Sequence, residues 1–136
     1  MRPITPPSNG KRQTEAYADT IGRAIAFART RANALVWLVG TSAGTTGAAN
    51  GAARLTGRVA GLVLTSSVTR QNSGGETVFD TNLAAIIVPV LIVANQNDAC
   101  PVTLPGDAPR IARRARPLST QRGGLCTERS DPLSGV

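Results

Sequence analysis

The sequence predicts an α/β fold: a mainly parallel sheet of three to four strands, flanked by helices. Three observations predict it. Apolar runs without polar alternation recur at residues 34–39, 59–65 and 86–94, the pattern of strands covered on both faces. Helical segments, one amphipathic and one of small residues, lie beside and between them. The resulting order (helix, strand, helix, strand, loop, strand, helix) supplies the crossovers that parallel strands need.

Each element has its own reason. Residues 1–13 form an irregular arm, because "MRPITPPSNG" holds three prolines, a glycine and an asparagine. Residues 14–30, "TEAYADTIGRAIAFART", place Ala18, Ile21, Ile25 and Ala28 on one face. Thr14 is the expected N-cap, and Arg29 and Arg31 suit the negative end of the helix dipole. "ALVWLV" (34–39) reads as a buried strand, and Ala43 to Leu55 as the helix after it. "VAGLVLT" (59–65) is the second strand, and residues 66–81 are a polar loop. "IIVPVLIVA" (86–94) is the third strand, starting after Pro89. Pro105-Gly106-Asp107 opens a helix that ends near Ala115, with Asp107 in its N-cap region. The packed core is thus expected over 14–116, and 117–136, rich in Arg, Pro, Gly and Ser, forms an irregular tail.

Composition narrows the function. The chain has 136 residues, 41% of them apolar and 17% charged, which suits one globular domain and not a disordered segment. Its net charge is +7, and Lys11 is the only lysine. The arginines are scattered apart from Arg110, Arg113, Arg114 and Arg116. That cluster reads as a solvated helix end, which argues against a nucleic-acid interface. Cys100 and Cys126 lack metal-ligand spacing and the chain holds no histidine, so neither a metal site nor a cofactor is expected. Two cysteines alone do not establish a disulfide. No signal peptide and no membrane span is read, because the longest apolar run, Leu83 to Ala94, is short and contains Pro89. The expected location is cytoplasmic.

The chemistry lies in "WLVGTSAGTTGAAN" (37–50). Gly40-Thr41-Ser42-Ala43-Gly44 fits G-x-S-x-G, the elbow that mounts a nucleophilic serine between a strand and a helix. Gly40 and Gly44 are expected to tolerate no bulk, because the residues flanking such a serine come close together. Ala43 N–H would then lie at the helix N-terminus, able to donate to an oxyanion. The rival reading is a tight strand–helix turn whose glycines serve packing alone. A P-loop is excluded, since no lysine lies near residue 45. A dinucleotide fold is not supported: Gly40, Gly44 and Gly47 do not match G-x-G-x-x-G, and the one tyrosine, Tyr17, has Ile21 at i+4 where a short-chain dehydrogenase needs lysine. Asp98, after "VPVLIVANQN", lies beyond the carboxyl end of a parallel strand, on the same rim as Ser42. It can be a triad acid or a loop aspartate that caps a turn.

"VGTSAGT", "GLVLTSS" and "VPVLIVANQND" together resemble the α/β-hydrolase family, over a stretch from about residue 14 onward. "VWLVGTSAG" and "VLTSSVT" look like its bacterial serine-hydrolase, esterase-like branch. The resemblance implies a partial α/β-hydrolase fold acting on a small ester-like substrate by acyl transfer to water. Ser42 would be nucleophile, Asp98 the acid and Ala43 one oxyanion donor. In that family the triad histidine comes last; "GGLCTERSDPLSGV" resembles the stretch before it, and no histidine follows. The strands that precede the elbow in the family also find no counterpart in 1–13. Both ends therefore read as truncated or replaced. The expectation is an inactive or incomplete hydrolase; the alternative is a non-catalytic interaction protein or remnant of the same fold. The missing neighbour would leave 34–39 as an edge strand, through which the chain would self-associate.

Overall fold

Thr14 opens the first helix as its sequence position predicts. The structure, a computed structural model, describes residues 11–71 and 75–115. Helix α1 (Glu15–Arg31) begins where the Thr14 hydroxyl accepts from Tyr17 N–H, with Glu15 in the first turn and Arg29 and Arg31 in the last. Its inward face is Ala18, Gly22 and Ile25, with Ile21 partly buried. Ala28, expected on that face, is exposed, because the packing stripe ends with Ile25 where the helix runs past its neighbour.

Strand β1 (Trp37–Thr41), helix α2 (Gly44–Arg54), strand β2 (Gly61–Thr65) and strand β3 (Val90–Val93) follow, and a short helix α3 (Ala108–Arg114) closes the described chain. Three 3-10 turns lie at Val78–Asp80, Leu83–Ala85 and Pro105–Asp107. The three strands form one all-parallel sheet in the order β1-β2-β3. Leu38 pairs with Leu62 and Gly40 with Leu64; Leu64 in turn pairs with Ile92. An α/β fold with a parallel sheet and flanking helices is therefore present.

The core lies on one side of that sheet. Leu62, Leu64 and Ile92 point into a cluster with Ala48, Ala49 and Ala52 of α2 and Ala108 and Ile111 of α3. Helix α2 is buried on nearly every side between α1 and the sheet. Its small residues permit this: a Cβ at Gly47 would strike Tyr17, and one at Gly51 would press on Ile21 and Leu38. Asn50, 2% exposed, ties the pair together; its amide donates to Thr14 C=O at 2.7 Å and its oxygen accepts from Arg54 Nε at 2.8 Å.

Several expectations are corrected here. The first strand is 37–41, not 34–39, and it is not covered on both faces. Trp37 is 49% and Val39 67% exposed, because all the described helices that pack on the sheet do so on its other face. Helix α2 spans 44–54, one residue shorter at each end than expected. The polar loop 66–81 contains core residues: Val68 and Val78 are buried and joined by the Val78 N–H to Val68 C=O bond at 2.8 Å. Arg12, assigned to the arm, is tied to the core, its N–H donating to the buried Glu76 carboxylate. Arg110 and Arg114 are not a merely solvated helix end; their guanidinium groups lie 4.1 and 4.9 Å from the Phe79 ring. Arg116, Cys126 and the tail 117–136 lie outside the described residues.

Candidate active site

Ser42 follows directly on β1 and directly precedes the turn into α2. Its φ is +52°, a left-handed backbone that serine seldom adopts. The turn is locked on both sides. Ser42 N–H donates to Thr65 C=O of β2 at 3.1 Å. Ser42 C=O accepts from Thr45 N–H at 3.0 Å and from the Thr45 hydroxyl at 2.6 Å. The same Thr45 hydroxyl accepts from Val68 N–H at 3.3 Å, so one buried side chain connects the Ser42 turn to the segment after β2.

Gly40 behaves as the motif predicts. A Cβ there would lie 2.6 Å from Gly44 O, 2.8 Å from Ala48 Cβ and 2.8 Å from Thr45 Cα. Two of these are backbone atoms that cannot swing away. Gly44 does not: a Cβ there meets nothing within 4 Å among the described residues. The close approach is one-sided, because Gly40's α-carbon faces the helix while Gly44's would-be side chain faces outward.

Ser42 is exposed and Ala43 half-buried. Ala43 lies at the N-terminal end of α2 with helical dihedrals, φ −56° and ψ −28°. The first N–H groups of a helix have no partner within it, and Ala43 N–H has none among the described residues. The rim beside them is lined with hydroxyls: Thr41 and Thr65 share a 2.7 Å hydrogen bond, and Ser66 follows Thr65.

Asp98 lies on the same rim, beyond β3. With β2 between them, the β1 and β3 ends stand two strand spacings apart, about 10 Å. No hydrogen bond joins Asp98 to Ser42. Its Oδ1 accepts from Cys100 N–H at 2.9 Å and its Oδ2 from the Thr103 hydroxyl at 2.8 Å. These bonds, foremost that from Cys100 N–H and then that from Thr103, hold the carboxyl below its ordinary value, so it is ionised at neutral pH. The turn-capping role is thus present, with both carboxylate oxygens held inside the loop 98–103. Asp107, the rival carboxylate, precedes α3 but makes no capping bond; it lies 3.4 Å from Arg70 Nε.

A cavity of about 10 Å³ opens between the ends of β2 and β3, lined by Ser66, Ser67, Asn95, Asp98 and Thr103 among others. It has room for a single water, not for an ester. Sequence reasoning missed Thr45 and Thr103. Both are hydroxyl residues whose partners are set by the chain's fold, and neither stands in a motif with the residue it supports. Among the described residues no three His, Cys, Asp or Glu side chains gather as metal ligands, and no helix is long and apolar enough to cross a membrane. No protein-family model, no curated protein and no solved structure matches the chain.

Proposed function

We propose that the chain carries the nucleophile elbow of an α/β-hydrolase-like serine hydrolase, with Ser42 as nucleophile, Ala43 N–H as one oxyanion donor and Asp98 as the acid. The observation that carries this reading is the Ser42 turn. An exposed serine is held in a left-handed conformation between a strand and a helix N-terminus, with Gly40 too close to the helix to bear a side chain. The left-handed backbone alone does not single out Ser42, because Ser66 shares it with φ +45°; exposure at a helix N-terminus, beside a Gly40 with no room for a side chain, does.

The elbow supplies a nucleophile and an oxyanion donor but no base. The 136 residues hold no histidine, and Ser42 Oγ has no hydrogen-bond partner among the described residues. With no histidine in the chain and no described group to take the serine proton, attack on an ordinary ester is slow. This chain is therefore an incomplete hydrolase, able to react once with a strongly activated acyl or phosphonyl group and unable to turn over. Small ester-like molecules are the matching substrate class. No cofactor enters the reading.

Hydrolysis of a short p-nitrophenyl ester by the chain and by Ser42→Ala tests it, with labelling by an activated phosphonate measured in parallel. Equal, background rates for both proteins, with slow labelling that Ser42→Ala abolishes, are expected. A Ser42-dependent turnover that rises through neutral pH would reveal another base. Labelling indifferent to Ser42→Ala would defeat the nucleophile assignment and favour the non-catalytic reading.

A further inference from the structure

The outer edge of β1 has an unusual regularity. Ser42 N–H and Val36 C=O both bond across to the β2 side, and backbone direction alternates along a strand. The even residues of β1 therefore bond β2, and the odd ones, Trp37, Val39 and Thr41, turn their N–H and C=O groups outward. No described strand lies on that side, and none of these six groups has a partner among the described residues. Natural edge strands are usually blunted by charge, proline or a bulge. Trp37–Thr41 has none of them.

The five residues are symmetric about Val39, which is itself one of the outward-turned residues. We propose that two copies of the chain associate by pairing β1 with β1 antiparallel, about a two-fold axis at Val39. In that register Val39 stands opposite its own copy as a hydrogen-bonded pair, and Trp37 stands opposite Thr41 of the other chain. A hydrogen-bonded antiparallel pair exchanges two N–H···O bonds. Three such pairs give six bonds, which satisfy all six outward groups of each copy. A one-residue slip would set outward groups against inward ones and satisfy none. The sheet becomes six-stranded and continuous. On its open face Val39 of each copy then stands beside Val39 of the other, while the Trp37 ring lies over Gly61 of β2. The outer edge of β3 offers only Val90 and Ile92, directly after Pro89, and has no outward residue at its centre.

A second copy is favoured as occupant because the edge is self-complementary in register and uncharged. Each copy carries a formal +7, so long-range repulsion opposes pairing and salt screens it. The dimer therefore tightens as salt rises, whereas docking of an acidic partner would loosen.

Sedimentation velocity of the whole chain over a range of concentration and salt tests this, with hydrogen exchange on residues 37–41. Val39→Pro removes an N–H that bonds nothing in the monomer, so it spares the β1–β2 pairing. It deletes two of the six bonds and is expected to weaken the dimer roughly 10- to 100-fold. Val39→Lys leaves the backbone whole and sets two like charges face to face; it too is expected to weaken pairing. In the wild type, the amides of 37, 39 and 41 gain protection with concentration, while those of 38 and 40 are protected throughout. A chain that stays monomeric at high concentration and salt overturns the proposal. So does a monomer in which 37, 39 and 41 are already protected, since another part of the chain then covers the edge. A dimer unaffected by both substitutions also overturns it.

Discussion

Two strand ends in this molecule carry the same dipeptide, and only one of them makes a candidate nucleophile. Thr41-Ser42 and Thr65-Ser66 lie side by side in register at the ends of β1 and β2. Both serines are left-handed, with φ of +52° and +45°. Both donate their N–H to the next strand, Ser42 to Thr65 and Ser66 to Val93, each at 3.1 Å. The difference lies two residues to either side. Around Ser42 stand Gly40 and Gly44; around Ser66 stand Leu64 and Val68, both core residues. The first turn feeds a helix packed against its own strand, which only a glycine at 40 allows. The second feeds an irregular segment pinned by Thr45 and by Val102, whose C=O accepts from Thr69 N–H. A left-handed serine after a parallel strand is therefore a property of the strand end. Exposure at a helix N-terminus is a property of the glycine and the helix.

The comparison is broken most directly at Gly40. Gly40→Ala drives a methyl into backbone at 2.6–2.8 Å and is expected to cost about 2–3 kcal/mol, roughly 10 °C or more in Tm. Gly44→Ala, with open space around it, is expected to leave Tm unchanged or slightly higher. A thermal melt in which the two behave alike would remove the steric basis of the proposed elbow.

Thr45 couples the two turns, so its loss is the next largest effect. Thr45→Val keeps the shape but leaves the Val68 N–H unpaired in the core, at about 1–3 kcal/mol. Thr45→Ser is expected to retain most of the stability. Denaturant midpoints for the two variants check this, and a larger loss in Thr45→Ser than in Thr45→Val would assign the effect to packing of the methyl.

The smallest effect sharpens the likeness of the turns. Ser42→Gly and Ser66→Gly each relieve a left-handed backbone and are each expected to stabilise by about 1 kcal/mol or less. A gain at Ser42 alone, in the same melts, would show that only the Ser42 turn is strained.

How much of this was legible in the sequence depends on how local the cause is. The Thr14 cap, the start of β3 after Pro89 and the clash at Gly40 all follow from short-range sterics and hydrogen bonding, and each is present. The two-sided burial of 34–39 failed because apolar composition states that a strand can be covered, not that anything covers it. Gly44 was misjudged because a motif records which residues are small, while the side on which a helix lies decides which of them must be. Thr103, whose hydroxyl holds Asp98, carried no signal, since a five-residue loop spacing has no period to reveal it.

By itself the sequence determined the α/β order of elements, the parallel sheet, the position of Ser42 at a strand–helix junction and the absence of any histidine within these 136 residues. Those follow from periodicity, chain connectivity and composition, which act along the chain. Tertiary structure alone decided that β1 is an edge and one sheet face is uncovered among the described residues, that Thr45 ties the two turns together and that Asp98 follows a strand two places from that of Ser42. Those depend on which surfaces meet across dozens of residues, and the free energy of such contacts is set by shape and burial in space, not by neighbours in sequence.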